Sequence, residues 1–163
     1  MLSDETANGS YPLETVQAMK KVILYTQNHS RIAPIARDPI GEKSEIYDAI
    51  SHETARLAEK INADVIICQT ASGATALTMA AQRPNLPIVT VTSNPHVANQ
   101  LALIYANSAF YRPYSEEFGL ELAKELKGTG YLQTKKGQKD LLVVIVSGDK
   151  NKAGTDTIKV RNI

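Results

Sequence analysis

The stretch Val65 to Ala76, VIICQTASGATA, constrains the fold of this chain most. It opens with an apolar, β-branched run, passes through a small hydroxyl-rich turn, and continues into helix formers from Ala74 to Ala81. A strand that feeds a helix through such a turn leaves free backbone N–H groups, and the positive end of the helix dipole, facing the turn. Thr70, Ser72 and Thr75 add hydroxyl groups, and Gly73 lets a ligand come close to the backbone. That is phosphate-binding chemistry. A tight strand-to-helix connection built from small residues is the plainer alternative. The sequence has neither the Walker lysine of GxxxxGK[ST] nor a G-x-G-x-x-G.

The rest of the chain reads as elements that such a unit needs. Residues 12–27 carry Leu13, Val16, Met19, Val22 and Ile23 at helical spacing, after a proline suited to a first helical position. Residues 28–43, with Pro34, Pro39 and Gly41, read as a linker or irregular loop. Ser44 is placed to cap a helix over 45–61, with Ile46, Ile50, Thr54, Leu57 and Ile61 on one face. Strands and helices then alternate: strand 65–69, helix 74–82, strand 88–92, helix 95–106, strand 109–112, helix 116–127 and strand 141–147. LLVVIVS at 141–147 is the most apolar run, which predicts a central strand covered on both faces. The last strand, 157–161, follows too short a loop to cross over and is predicted antiparallel. The expected fold is α/β: a three-layer sandwich with a mostly parallel five-stranded sheet, an antiparallel last strand and helices on both faces. The basic segment 128–140 reads as a charged, solvated connection.

In an open α/β sheet, ligands gather at the carboxyl ends of the strands. The turn after strand 65–69 and the loop 148–156, GDKNKAGTD, open on that same edge. Lys150 and Lys152 can bring cations there, and Gly154 gives the loop freedom. His29, His52 and His96 lack metal-ligand spacing, and Ser72 lacks the G-x-S-x-G of a nucleophile elbow. No metal site is expected in this chain. The net charge of +1 gives no case for nucleic acid or an anionic membrane. No run reaches the ~18 apolar residues of a membrane span, and the first residues do not read as a signal peptide. The one cysteine, Cys68, lies within an apolar strand, as suits a small buried hydrophobe in the reducing cytoplasm.

MLSDETANGSYPLETVQAM resembles the MLSGETAxGxYPxEAVxxM signature of the pyruvate kinase family, which lies near the end of that enzyme's catalytic barrel. Thr70 to Ala76 is similar to the T-x-S-G-x-T-A loop of its C-terminal domain, Pro87 to Thr92 to P-I-x-x-V-T, and Gln100 to Tyr105 to a Q-L-x-L-x pattern. The resemblance implies that residues 1–27 close the barrel and that 28–163 form the C-terminal regulatory and oligomerisation domain. It implies that Ser3, Glu5 and Thr6 belong to a loop beside the active site, where the serine and glutamate are candidates for proton transfer. It implies that Thr70, Ser72, Gly73 and Thr75 hold the phosphate of a phosphorylated small-molecule effector. Gly148, Lys150, Lys152, Gly154 and Thr155 would form the loop that meets it. Three departures stand out: Asp4 replaces the glycine of SGETA, Ala153-Gly154-Thr155-Asp156 replaces P-G-S-T-N, and Ala74 replaces a residue that is often basic. The implied parent transfers a phosphoryl group from phosphoenolpyruvate to ADP with magnesium and potassium, and is a cytoplasmic homo-oligomer, a tetramer. The chain itself is expected to be inactive, since the barrel's ligands are not in it. A free-standing phosphometabolite-binding module is the alternative.

Overall fold

The computed structural model describes residues 1–29, 46–135, 137–148 and 155–163. The chain divides into two compact units, Met1–Ala33 and Pro34–Ile163. The first holds α1 (Asp4–Ala7) and α2 (Pro12–His29). Asp4 is the first residue of α1, where any L-residue adopts the helical negative φ, so the missing glycine needs no special backbone. Helix α2 runs two residues beyond its expected end, to His29, whose ring stacks on Tyr25 at 4.0 Å. Its apolar stripe is exposed at Leu13, Val16, Val22 and Ile23. The linker expected after it, and the Ser44 cap, lie outside the described residues.

The second unit contains α3 (Ile46–Lys60), β1 (Val65–Gln69), α4 (Ala74–Ala81), β2 (Ile88–Thr92), α5 (Pro95–Leu101), β3 (Asn107–Tyr111), α6 (Phe118–Gly128), β4 (Leu142–Ser147) and β5 (Thr157–Asn162). The strands form one sheet in the order β3-β2-β1-β4-β5. The first four are parallel and β5 is antiparallel to β4. Alternation along the strands divides the core into two layers. Ile66, Cys68, Ile88, Val144 and Val146 pack with α3, α4 and α5. Val65, Ile67, Val89, Val91, Val143 and Ile145 pack with α6. The two steps β1–α4–β2 and β2–α5–β3 move one way along the sheet. The step β3–α6–β4 moves back the other way. Right-handed crossovers therefore place α6 on the opposite face, and the sandwich has three layers. Strand β4 is covered on both sides as expected but is not central: β5 returns antiparallel beside it as the edge strand, and the middle position belongs to β1.

Besides the end of α2, three boundaries differ from expectation by two residues or more, each for a local reason. Helix α5 stops at Leu101 rather than 106, because the Asn107 side-chain amide donates to the Leu101 carbonyl and Ala106 takes a left-handed φ of 54°. That same asparagine accepts a 2.6 Å bond from Thr90 Oγ1, which draws polar Asn107 and Ser108 into β3. Helix α6 starts at Phe118, since Ser115 Oγ donates to the Glu121 carboxylate instead of capping the backbone.

Cys68 is fully buried in β1, and burial raises its thiol from 9.0 to about 12. The folded state thus keeps a proton that the unfolded chain releases. This part of stability is complete below about pH 9 and is lost as the pH climbs toward 12. Denaturant titrations from pH 8 to 11 are expected to give a steeper alkaline loss for the wild-type chain than for Cys68→Ala. At pH 8 the native thiol is expected to resist a disulfide reagent that titrates it fully in urea.

Candidate functional site

The parallel neighbours β1 and β4 carry their chains apart at their carboxyl ends. From β1 the chain turns into α4 and on to β2, whereas from β4 it passes to β5 on the other side. This is the switch point of the sheet, where an α/β fold leaves room for a ligand. The turn Thr70–Gly73 lies on one side of it. Gly148 and Thr155, the described ends of the β4–β5 connection, lie on the other. Lys150, Lys152 and Gly154 fall outside the described residues.

The turn is held by its own hydroxyl groups. Thr70 N–H donates to the Val91 carbonyl, which extends the ladder one residue past β1. Thr70 Oγ1 then accepts from Gly73 N–H at 2.9 Å, and Ser72 Oγ accepts from Ala74 N–H at 3.4 Å. Gly73 caps α4 with φ of 89°, a conformation that disfavours any side chain. A Cβ there would also stand 3.2 Å from Val97 and Leu101 of α5. The first full helical bond is Leu77 N–H to Gly73 O, so Ala74, Thr75 and Ala76 carry N–H groups that precede the helical ladder.

Thr75, in the first turn of α4, reaches across the switch point. Its Oγ1 is 2.7 Å from Thr155 Oγ1, and both residues are buried. Thr70, Ser72, Gly73, Thr75 and Thr155 are therefore brought together, while Gly148 is exposed at the end of β4. Each hydroxyl of the turn spends acceptor capacity on a backbone N–H, which leaves its hydrogen to be given away. Such a surface suits a ligand that only accepts hydrogen bonds.

Sequence reasoning missed how closely α6 packs on the end of β1. Gly119 meets the Gln69 side chain so closely that a Cβ would stand 2.7 Å from Gln69 Cγ, and Gln69 Nε2 donates to Glu116 O at 3.4 Å. A glycine within an otherwise regular helical pattern was the available signal.

In the first unit, Ser3, Glu5 and Thr6 form a local cap. Ser3 N–H donates to Glu5 Oε2 at 3.1 Å, and Thr6 Oγ1 donates to Ser3 O at 2.9 Å. Backbone N–H donors, its own and that of Ser3, hold the exposed Glu5 carboxyl below its ordinary 4.5. Among the described residues, no three His, Cys, Asp or Glu side chains stand together as metal ligands do, and no helix is long and apolar enough to cross a membrane.

Residues 48–161 match the family model described as the pyruvate kinase alpha/beta domain. The chain belongs to the pyruvate kinase family. It is 35% identical over 163 residues to the pyruvate kinase of Clostridium acetobutylicum, a match that covers 95% of this chain and 33% of that one. With the pyruvate kinase of Bacillus licheniformis it shares 32% identity, over 97% of this chain and 27% of that one. A crystal structure of a pyruvate kinase from Cryptosporidium parvum superposes with a TM-score of 0.76 at 23% identity, over 99% of this chain and 32% of that one. The Cryptosporidium parvum enzyme in complex with ADP gives 0.73 at 25% identity, over 99% and 33%. The chain thus spans about a third of the length of the curated pyruvate kinase it matches at 35% identity. Its mixed sheet, with four parallel strands and an antiparallel last one, is that of the pyruvate kinase C-terminal domain.

Proposed function

We propose that this chain is the C-terminal regulatory part of a pyruvate kinase, and that the β1–α4 turn binds the phosphate group of a small-molecule effector. The observation that carries the reading is the position of the turn. Thr70, Ser72 and Thr75 meet the start of α4 at the switch point of the sheet, with Thr155 facing them from β4–β5. The helix dipole, the leading N–H groups and the hydroxyl hydrogens all favour an anion there. A phosphorylated sugar or a nucleoside monophosphate offers the same terminal group.

The parent, on this reading, is a cytoplasmic phosphotransferase that moves a phosphoryl group from phosphoenolpyruvate to ADP with magnesium and potassium. Those ions would be held by a barrel domain outside this sequence. Residues 1–27 would complete that barrel, whose surface would cover the exposed stripe of α2. Ser3, Glu5 and Thr6 would lie beside its active site. With its carboxyl held low, Glu5 would serve as an acceptor or base rather than as an acid. The parent would be a homo-oligomer, a tetramer, with no nucleic-acid or membrane partner.

Calorimetry with a panel of sugar phosphates and nucleoside monophosphates tests the effector reading. A charge-assisted hydrogen bond contributes about 1.5–3 kcal/mol, so Ser72→Ala is expected to weaken binding roughly tenfold or more. Equal binding by the variant, or none by the wild-type chain at millimolar ligand, would leave the turn as a simple connection.

A further inference from the structure

Helix α3 ends in a turn that separates its backbone donors from its oxygens. Asn62 takes a left-handed φ of 57°, its N–H donates to Glu59 O, and Ala63 N–H donates to Ala58 O. A left-handed residue commonly closes a helix in this way. Asp64 N–H then donates to Leu142 O, where β1 meets β4. With the N–H groups of all three residues spent on the protein, their oxygens gather about one point. Asn62 O, Asn62 Oδ1 and Ala63 O stand 2.7, 2.7 and 3.0 Å from the Lys135 ammonium, and Asp64 Oδ1 stands 3.8 Å from it. The negative end of the α3 dipole favours positive charge at the same point.

An ammonium has three hydrogens, and Lys135 spends them on Asn62 and Ala63. Asp64 Oδ1 is the oxygen left over. Its side chain is 3% exposed, and the atom accepts no hydrogen bond among the described residues. A spherical ion has no fixed number of donors and takes all four oxygens at once. We propose that Asn62, Ala63 and Asp64 form a monovalent-cation site, which Lys135 of the same chain fills. The chemistry selects the class of ion. Three neutral oxygens and one carboxylate balance a single positive charge. Oxygens at 2.7 to 3.0 Å suit an ion of ammonium or potassium size, whose water carbonyl oxygens replace. They stand farther off than the about 2.3–2.6 Å of calcium or the about 2.0–2.1 Å of magnesium. Because Lys135 is tethered, its ammonium is present at a high effective concentration and outcompetes ions from solution. It thereby latches the 128–140 connection to the end of α3. Loss of its charge opens the site to potassium or ammonium.

The experiment uses the full chain carrying Lys135→Met, which removes the ammonium. Urea denaturation at matched ionic strength compares potassium, ammonium and sodium chloride with choline chloride, whose cation is too large for the site. At about 0.2 M, potassium or ammonium is expected to lower the unfolding constant of Lys135→Met about threefold to tenfold relative to choline, as linkage gives for a Kd of about 20–100 mM. Sodium is expected to do less. The wild-type chain has its site filled, and the double variant Asp64→Asn with Lys135→Met has lost the carboxylate. Both are expected to change less than about twofold between potassium and choline. Thallium(I), a heavy ion of potassium's size, is expected between Asn62 and Asp64 in crystals of Lys135→Met. No potassium response in Lys135→Met, an equal response in the wild-type chain or the double variant, or thallium absent from Asn62–Asp64 would each overturn the proposal. Should Lys135→Met fold poorly, Lys135→Gln is read in the same way.

Discussion

Leu122→Ala is expected to destabilise the α/β unit by about 2–5 kcal/mol, among the largest effects any single truncation will have here. Leu122 lies in the middle of α6, 1% exposed, in the buried cluster that also holds Val65, Ile67 and Val143. Helix α6 is the helix that covers this face among the described residues, so the neighbours of Leu122 cannot shift to a second helix to fill the gap. Removing the side chain forfeits both its transfer energy and the contacts of the atoms lining the void. Leu77→Ala provides the control. Leu77 sits on α4 and is 46% exposed, so its truncation is expected to change stability by no more than about 0.5 kcal/mol. Urea denaturation of both variants checks the pair, and equal losses would mean that the two faces are not packed as described.

That contrast also explains which parts of the fold were legible in the sequence. The strands were, because Val65–Cys68, Ile88–Val91 and Leu142–Val146 are β-branched runs bounded by turn residues, and the βαβ order fixes which are parallel. The turn at Thr70–Gly73 was legible for the same reason, since a strand must reach a helix within four residues. What a side chain meets across the fold was not. Leu77 has the composition of a core residue, yet it faces outward on a helix whose inner face is Ala76, Met79 and Ala80. Ile46 was expected on the inner face of α3 and is 76% exposed, while Ser51, Thr54, Ala55 and Ala58 are buried there. Small side chains let α3 lie close to α4, and periodicity in large apolar residues does not detect a face made of small ones. In the site, the hydroxyls of one turn could be read together. The pairing of Thr75 with Thr155 could not, since it depends on the order of β1, β4 and β5 in the sheet.

The segment 128–140, read as a charged and solvated connection, contains the least legible contact and the second large effect. Lys135 is not a free cation. Its ammonium donates to Asn62 O and Asn62 Oδ1 at 2.7 Å each and to Ala63 O at 3.0 Å, and it stands 3.8 Å from Asp64 Oδ1. Asp64 itself is a buried carboxylate, with its side chain 3% exposed. Its Oδ2 accepts from Leu142 N–H at 2.7 Å, where β1 and β4 begin their pairing, and its Oδ1 has no hydrogen-bond partner among the described residues. The lysine is thus the countercharge that lets the carboxylate stay buried, and it also covers the carbonyls at the end of α3. Asp64→Ala is expected to cost about 2–4 kcal/mol, because it leaves the Leu142 N–H without its acceptor and Lys135 without its countercharge. Asp64→Asn is expected to cost less, since an amide oxygen can still accept from Leu142. Lys135→Met leaves the carboxylate unpaired, but Lys135 is 40% exposed and water can reach the gap, so about 1–3 kcal/mol is expected. The decisive measurement is the double variant. If the two groups act as a pair, Asp64→Ala with Lys135→Met will lose less than the two single losses added together. Simple additivity in urea denaturation would instead mean that Asp64 serves only the Leu142 amide and Lys135 only the end of α3.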